Sequence, residues 1–218
     1  YVDTHKDGVY QSLLEKAMDS QFARAKKLGW LTMVNRAANG VSRQYQGIIT
    51  PALILAIGSR ETNIDPKYLA IPGDHGNGFG LTQGDKNAGG WISVWIKAGK
   101  WKDAEECFKF TVRHLEESFE NFKRIMKEAT QRSVRTKTGA VHKYMPSRFK
   151  GDDLLEIVTA GYNCGEWALY HASTKGIEYV DRGTTPPPYS QDVLRRRDYF
   201  QGLLDKEETR LIETFEDD

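Results

Sequence analysis

Cysteine is scarce, with only Cys107 and Cys164 in 218 residues. Two cysteines do not build a disulfide framework. The fold must therefore rest on a packed core, which a chain of this length is able to bury. The two could pair with each other, but two buried thiols are the expectation. Long apolar runs are also missing. The longest, Ala52-Leu53-Ile54-Leu55-Ala56-Ile57, is far too short to span a membrane and suits a core helix. Net charge is nearly absent, at +1 from 31 basic and 30 acidic residues. That removes the case for a nucleic-acid-binding polycation. The five histidines (His5, His75, His114, His142 and His171) show no ligand spacing, so no metal and no cofactor is expected. There is no internal repeat, no low-complexity stretch and no visible signal peptide. The chain begins at Tyr1 and not at Met, which fits removal of an export signal or of a preceding domain.

What charge there is lies unevenly. Residues 132–150 carry Arg132, Arg135, Lys137, Lys143, Arg148 and Lys150 with no acid, while the tail carries Asp205, Glu207, Glu208, Glu213, Glu216, Asp217 and Asp218. Both read as solvated surface. A basic segment of this kind also suits contact with an anionic polymer such as a bacterial wall.

The periodicity is mostly helical. Val9, Leu13, Leu14, Ala17, Met18, Phe22 and Ala23 recur at helical spacing within residues 8–38, with Gly29 as an interruption. Thr50-Pro51 is a helix start, Thr as N-cap and Pro at the first helical position. The helix that follows runs to about Arg60 or Glu61 and is apolar nearly all round, so it belongs inside. Residues 73–90 read as a Gly-rich loop or short hairpin. Asp103 to about Gln131 is a long amphipathic helix, residues 133–151 a long loop, and Asp152 the cap of a helix through about Tyr162. Gly183 to Pro188 reads as a rigid turn and Tyr189 to Leu204 as a last helix. Trp91 and Trp95 share a helical face, suited to a core or to sugar stacking; Trp101 is left unassigned. The class is α+β, predominantly α-helical.

Glu61 is the most informative residue. A carboxyl closing a buried helix meets burial and the negative end of the helix dipole, and both favour its protonated form. A carboxylic acid kept protonated near neutral pH is what a glycosidase needs to protonate a leaving oxygen. A surface glutamate just past a helix end is the plainer reading. Asp74 and Asp85 flank the Gly-rich segment 73–85 and are placed either to hold a water opposite Glu61 or to cap turns. Tyr162-Asn163 offers a hydroxyl and an amide to a sugar, in a segment that also reads as a plain helix end at Gly165.

In combination these segments resemble the goose-type lysozymes and their lytic transglycosylase relatives. The likeness rests on Ser59-Arg60-Glu61-Thr62, Gly73-Asp74, Gly76-Asn77-Gly78-Phe79-Gly80-Leu81 with Gln83, Tyr162-Asn163 with Gly165, and Tyr189-Ser190-Gln191-Asp192-Val193-Leu194. It covers roughly residues 48–204, in family order. It implies a lysozyme-like fold with a small hairpin next to the catalytic helix, in a single catalytic domain over 1–218 with residues 1–45 as an N-terminal helical extension. By the same resemblance Glu61 matches the essential acid, and Asp74 and Asp85 the aspartates that position attacking water. Phe79, Gln83, Tyr162 and Asn163 match sugar-binding positions. Cys164, Thr82, Gly84, the stretch Gly90–Trp101 and the basic loop depart from the family pattern.

The activity implied is hydrolysis of the β-1,4 bond between N-acetylmuramic acid and N-acetylglucosamine in peptidoglycan, with inversion. Lytic transglycosylation to 1,6-anhydro products, cleavage of chitin, a non-catalytic glycan-binding module and a structural protein are the competing readings. Keeping both aspartates favours hydrolysis. The resemblance further implies a monomer, secreted or delivered to the bacterial wall or periplasm. Its partner would be an amino-sugar polymer, with a proteinaceous inhibitor or immunity protein as a further one.

Overall fold

A computed structural model describes residues 4–129, 133–135, 141–143, 151–165, 168–169, 177–181, 184 and 187–216. Seven helices lie among them: α1 (Thr4–Lys27), α2 (Trp30–Asn39), α3 (Pro51–Thr62), α4 (Gly90–Lys97), α5 (Ala104–Ala129), α6 (Asp152–Cys164) and α7 (Tyr189–Glu216). Two antiparallel ribbons complete the regular structure, β1 (Gly78–Phe79) with β2 (Gly84–Asp85), and β3 (Ser133–Arg135) with β4 (Val141–Lys143). The result is an α+β, mostly helical, lysozyme-like fold. No described helix is long and apolar enough to cross a membrane. The chain divides into two compact units, Tyr1–Val112 with Arg195–Asp218, and Arg113–Leu194.

The first unit is built around α3. Thr50 is extended, and its Oγ1 accepts the Leu53 N–H at 3.3 Å. Pro51 follows at the first helical position, where its missing N–H costs nothing. Every residue from Ala52 to Ser59 is buried. Each large apolar side chain withdrawn from water there contributes about 1.5–3 kcal/mol. Around it, Gly29 at φ 71 separates α1 from α2. Phe22 of α1 stacks on Phe200 of α7 at 6.5 Å, and Trp30 of α2 meets Phe108 of α5 edge-on at 6.2 Å. Trp91 and Trp95 of α4 flank Phe110 at 5.0 and 4.5 Å. Trp95 and Trp101 are buried, so both belong to the core.

The second unit packs Phe122 and Ile125 of α5 against Ile157 and Ala160 of α6, with Ala168, Leu169 and Val180 closing the cluster. Gly161 lies so close to Leu169 that a Cβ there would stand 2.7 Å from Leu169 Cδ2.

Four details differ from the sequence-based expectation. The stretch 133–151 is not all loop, since β3 and β4 pair Ser133 with Lys143, Val134 with His142 and Arg135 with Val141. Three-residue strands need only backbone partners, which a charge pattern does not reveal. Asp152 is the first helical residue of α6 and not its cap. Gly151 at φ 58 takes that place, and Asp152 favours the positive end of the helix dipole. α7 continues past Leu204 to Glu216, because residues 205–216 hold no Gly or Pro to stop it. Finally, Cys164 is only half-buried, though Cys107 is fully so, and neither is in a disulfide. Of the turn expected at Gly183–Pro188, Gly183, Thr185 and Pro186 lie outside the described residues, as does most of the basic loop.

Candidate active site

Glu61 stands half-buried in the last turn of α3, between residues that are fixed on both sides. Ser59, fully buried, accepts a hydrogen bond at 2.7 Å from Nη1 of the buried Arg196 of α7. Thr62, also buried, donates its hydroxyl to the Leu81 carbonyl at 2.7 Å, with the Gly58 carbonyl at 3.2 Å. Leu81 lies in the turn between β1 and β2, so the residue after Glu61 ties the helix end to the hairpin.

Beyond Thr62 the backbone turns sharply. Asn63 and Ile64 have φ of 55 and 50. Asn adopts the left-handed region readily, whereas a β-branched residue there is an outlier costing on the order of 1–3 kcal/mol. The Asn63 N–H closes on the Ser59 carbonyl at 3.0 Å and the Ile64 N–H on the Gly58 carbonyl at 3.3 Å. Arg24 of α1 donates from Nη1 to the carbonyls of both Asn63 and Ile64, each at 3.2 Å. Gln21, one turn earlier on α1, donates Nε2 to Asn63 Oδ1 at 3.3 Å.

The hairpin gathers the two aspartates. Gly78 pairs with Asp85 on one side and forms a bridge with Gly73 on the other. Asp85 and the residue before Asp74 thus stand on either side of one strand, two strand spacings or ~10 Å apart. Asp74 and Asp85 are both exposed. Asp74 has φ 43, and its carbonyl accepts the Asn77 N–H at 2.9 Å. Asp85 Oδ1 accepts the Asn87 N–H at 2.8 Å, so this carboxylate caps a turn with one oxygen.

Phe79 is half-buried, edge-on to Trp101 at 5.2 Å. Gln83, at φ 53, lies across the two glycines beside it. A Cβ on Gly73 or Gly78 would fall 2.3 or 2.1 Å from Gln83 Oε1, and Gln83 Nε2 donates to the Gly80 carbonyl at 2.8 Å. The side chain therefore braces the hairpin from within. Gly80 itself, at φ 77, brings its backbone against Cys107, where a Cβ would stand 2.6 Å from Sγ. Burial pushes the Cys107 thiol up to about 12, which rules it out as a nucleophile near neutral pH. Gly84 is flanked by Phe110 and Trp95, each 3.1 Å from where a Cβ would be, which accounts for a glycine in place of a larger neighbour of Gln83.

Tyr162 and Asn163 end α6 in the second unit. Tyr162 is buried, with its ring edge-on to His114 at 4.7 Å and its carbonyl 3.3 Å from His114 Nε2. Burial lowers the His114 pKa, against the opposing pull of the Tyr162 carbonyl and of Glu117. Asn163 is exposed, and its Oδ1 accepts the Cys164 thiol at 3.3 Å. Gly165 has a positive φ of 63, but its ψ of −156 lies outside the left-handed helical well. Among the described residues no group of three His, Cys, Asp or Glu side chains could hold a metal ion.

The structure thus places Glu61 on α3, Phe79, Gln83 and Asp85 on the hairpin, and Asp74 in the turn that leads into it, and sets Tyr162 and Asn163 in the second unit. Sequence reasoning passed over Gln21, Arg24, Arg196 and His114, whose partners lie 39 to 137 residues away. No local signal marks them.

No family model matches the chain. Among curated proteins it is 30% identical over 177 residues to lysozyme g of Takifugu rubripes, covering 79% of this chain and 74% of that protein. It is 29% identical over 153 residues to lysozyme g of Casuarius casuarius, covering 70% of this chain and 65% of that protein. With lysozyme G of Dromaius novaehollandiae it shares 28% over 153 residues, 70% of this chain and 59% of that protein. With an α3 whose last turn carries Glu61 and is tied to a hairpin that bears Asp85 and adjoins Asp74, and relatives at this level over most of its length, the chain belongs to the goose-type lysozyme family of glycosidases.

Proposed function

We propose that this protein hydrolyses the β-1,4 bond between N-acetylmuramic acid and N-acetylglucosamine in peptidoglycan, with inversion at the anomeric carbon. The observation that carries the reading is the half-buried Glu61 at the end of the buried α3, hydrogen-bonded through Thr62 to the hairpin that bears Asp85 and adjoins Asp74. Glu61 donates its proton to the glycosidic oxygen as the bond breaks. Asp74 and Asp85 hold the attacking water on the opposite face of the ring. Asp85 keeps its second carboxylate oxygen for this, since Oδ1 is bound to Asn87 N. An inverting pair stands about 6.5–9.5 Å apart, leaving room for that water.

The backbone from Phe79 to Gln83 binds the acetamido group, and the Gln83 side chain holds that backbone in shape. Tyr162 and Asn163 are further sugar-binding residues. The protein works as a secreted or wall-delivered monomer, and an inhibitor or immunity protein is a natural partner for such an enzyme. Replacing Glu61 by Gln tests the scheme. Rate on purified peptidoglycan should fall by about 10²–10⁴-fold, the usual share of a general acid. Undiminished activity in Glu61→Gln would refute it.

A further inference from the structure

Two consecutive non-glycine residues in the left-handed region follow directly after Thr62, and the second, Ile64, is β-branched and fully buried. Strain of this kind survives only where the surroundings over-determine the backbone, and it gathers at functional sites. The turn is closed within α3 by the Asn63 and Ile64 N–H groups on the Ser59 and Gly58 carbonyls, and the Asn63 side chain and both outward carbonyls are held from one face of α1. Arg24 and Gln21 are three residues apart, hence neighbours on that helix. The guanidinium engages both strained carbonyls, and the carboxamide engages the Asn63 side chain.

From this geometry we propose that Arg24, seconded by Gln21, is a positioning residue for catalysis by Glu61. The inference rests on the reading of Glu61 as the general acid. Arg24 acts through the backbone. By holding Asn63 and Ile64 left-handed it ends α3 at Thr62, and so fixes the orientation of the turn that carries Glu61. Released from Arg24, the strained pair has right-handed conformations open to it. The helix end would then rewind, draw the Thr62 hydroxyl from Leu81 and shift the Glu61 carboxyl. Proton transfer needs the donor within about 2.6–3.2 Å of its acceptor, and misplacement by about 1 Å can cost on the order of 10² in rate. The N-terminal helix, outside the segment that carries the family motifs, is by this account part of the catalytic apparatus.

The test uses the full chain as Arg24→Gln, Arg24→Lys and Glu61→Gln, assayed on soluble peptidoglycan fragments well below each variant's melting temperature. Circular dichroism confirms that each is folded. Arg24→Gln should lose about ten- to a hundredfold in kcat with KM within about twofold. Arg24→Lys should recover part of that, since an ammonium reaches the carbonyls without the planar fork. A purely structural role would lower the melting temperature and leave kcat of the folded protein alone. Folded Arg24→Gln with wild-type kcat, or with its loss confined to KM, would overturn the proposal; should that variant not fold, wild-type kcat in Arg24→Lys would do the same. Glu61→Gln separates the two levels. An inactive Glu61→Gln beside a fully active Arg24→Gln removes only the positioning role, whereas an active Glu61→Gln removes the acid and the positioning role with it.

Discussion

At the scale of single residues, the site depends on close approaches that only certain side chains permit. Gly80 combines φ 77 with a Cys107 sulfur 2.6 Å from where a Cβ would lie, and the Trp101 carbonyl at 3.1 Å. Gly80→Ala should therefore destabilise by about 1–3 kcal/mol through overpacking and a disfavoured φ. Urea unfolding of the two proteins measures this, and an unchanged midpoint would mean the hairpin yields freely. The sequence offers Asp85 two readings, a water-holding carboxylate or a turn cap, and its bond to Asn87 is of the second kind. Asp85→Asn keeps that acceptor but lacks the charge. It should retain the fold and lose at least about tenfold in hydrolysis, judged by product release from peptidoglycan. Arg24 and Arg196 were not legible at this scale, because nothing in a lone arginine announces a carbonyl or hydroxyl partner far along the chain.

At the scale of elements, local chemistry decides where helices begin and end. Thr50 caps α3 through Leu53 N, so Thr50→Ala should cost about 1 kcal/mol in thermal or denaturant unfolding. Within the second unit His114 is buried with its pKa lowered. The unfolded chain then binds a proton that the folded one refuses. Stability is unaffected above the ordinary histidine range and falls as pH drops through about 6.5 toward the folded value. Denaturant midpoints at pH 7.5 and 5.5 should show this fall, and it should shrink in His114→Gln. Elements with their own punctuation were readable in advance, as Thr50-Pro51 and Gly29 show. The β3–β4 ribbon was not, because its pairing is held by backbone groups. The extension of α7 to Glu216 was missed because an acidic, loop-like composition there conceals good helix formers and no breaker.

At the scale of the whole molecule, α3 is the hub of the first unit. α1 grips its end through Arg24 and Gln21, α7 reaches its last turns through Arg196, and the hairpin is tied to it through Thr62. The family motifs marked α3 and the hairpin in the sequence; the grip of α1 and α7 emerged only from the fold. In the proposed mechanism this assembly directs water, held by Asp74 and Asp85, onto a sugar protonated by Glu61. Mass spectrometry of soluble fragments from purified peptidoglycan, with Glu61→Gln as control, tests it most directly. Fragments with reducing ends, absent in the control, are the expected result. Fragments ending in 1,6-anhydro sugars would contradict it, since no water would then have been used.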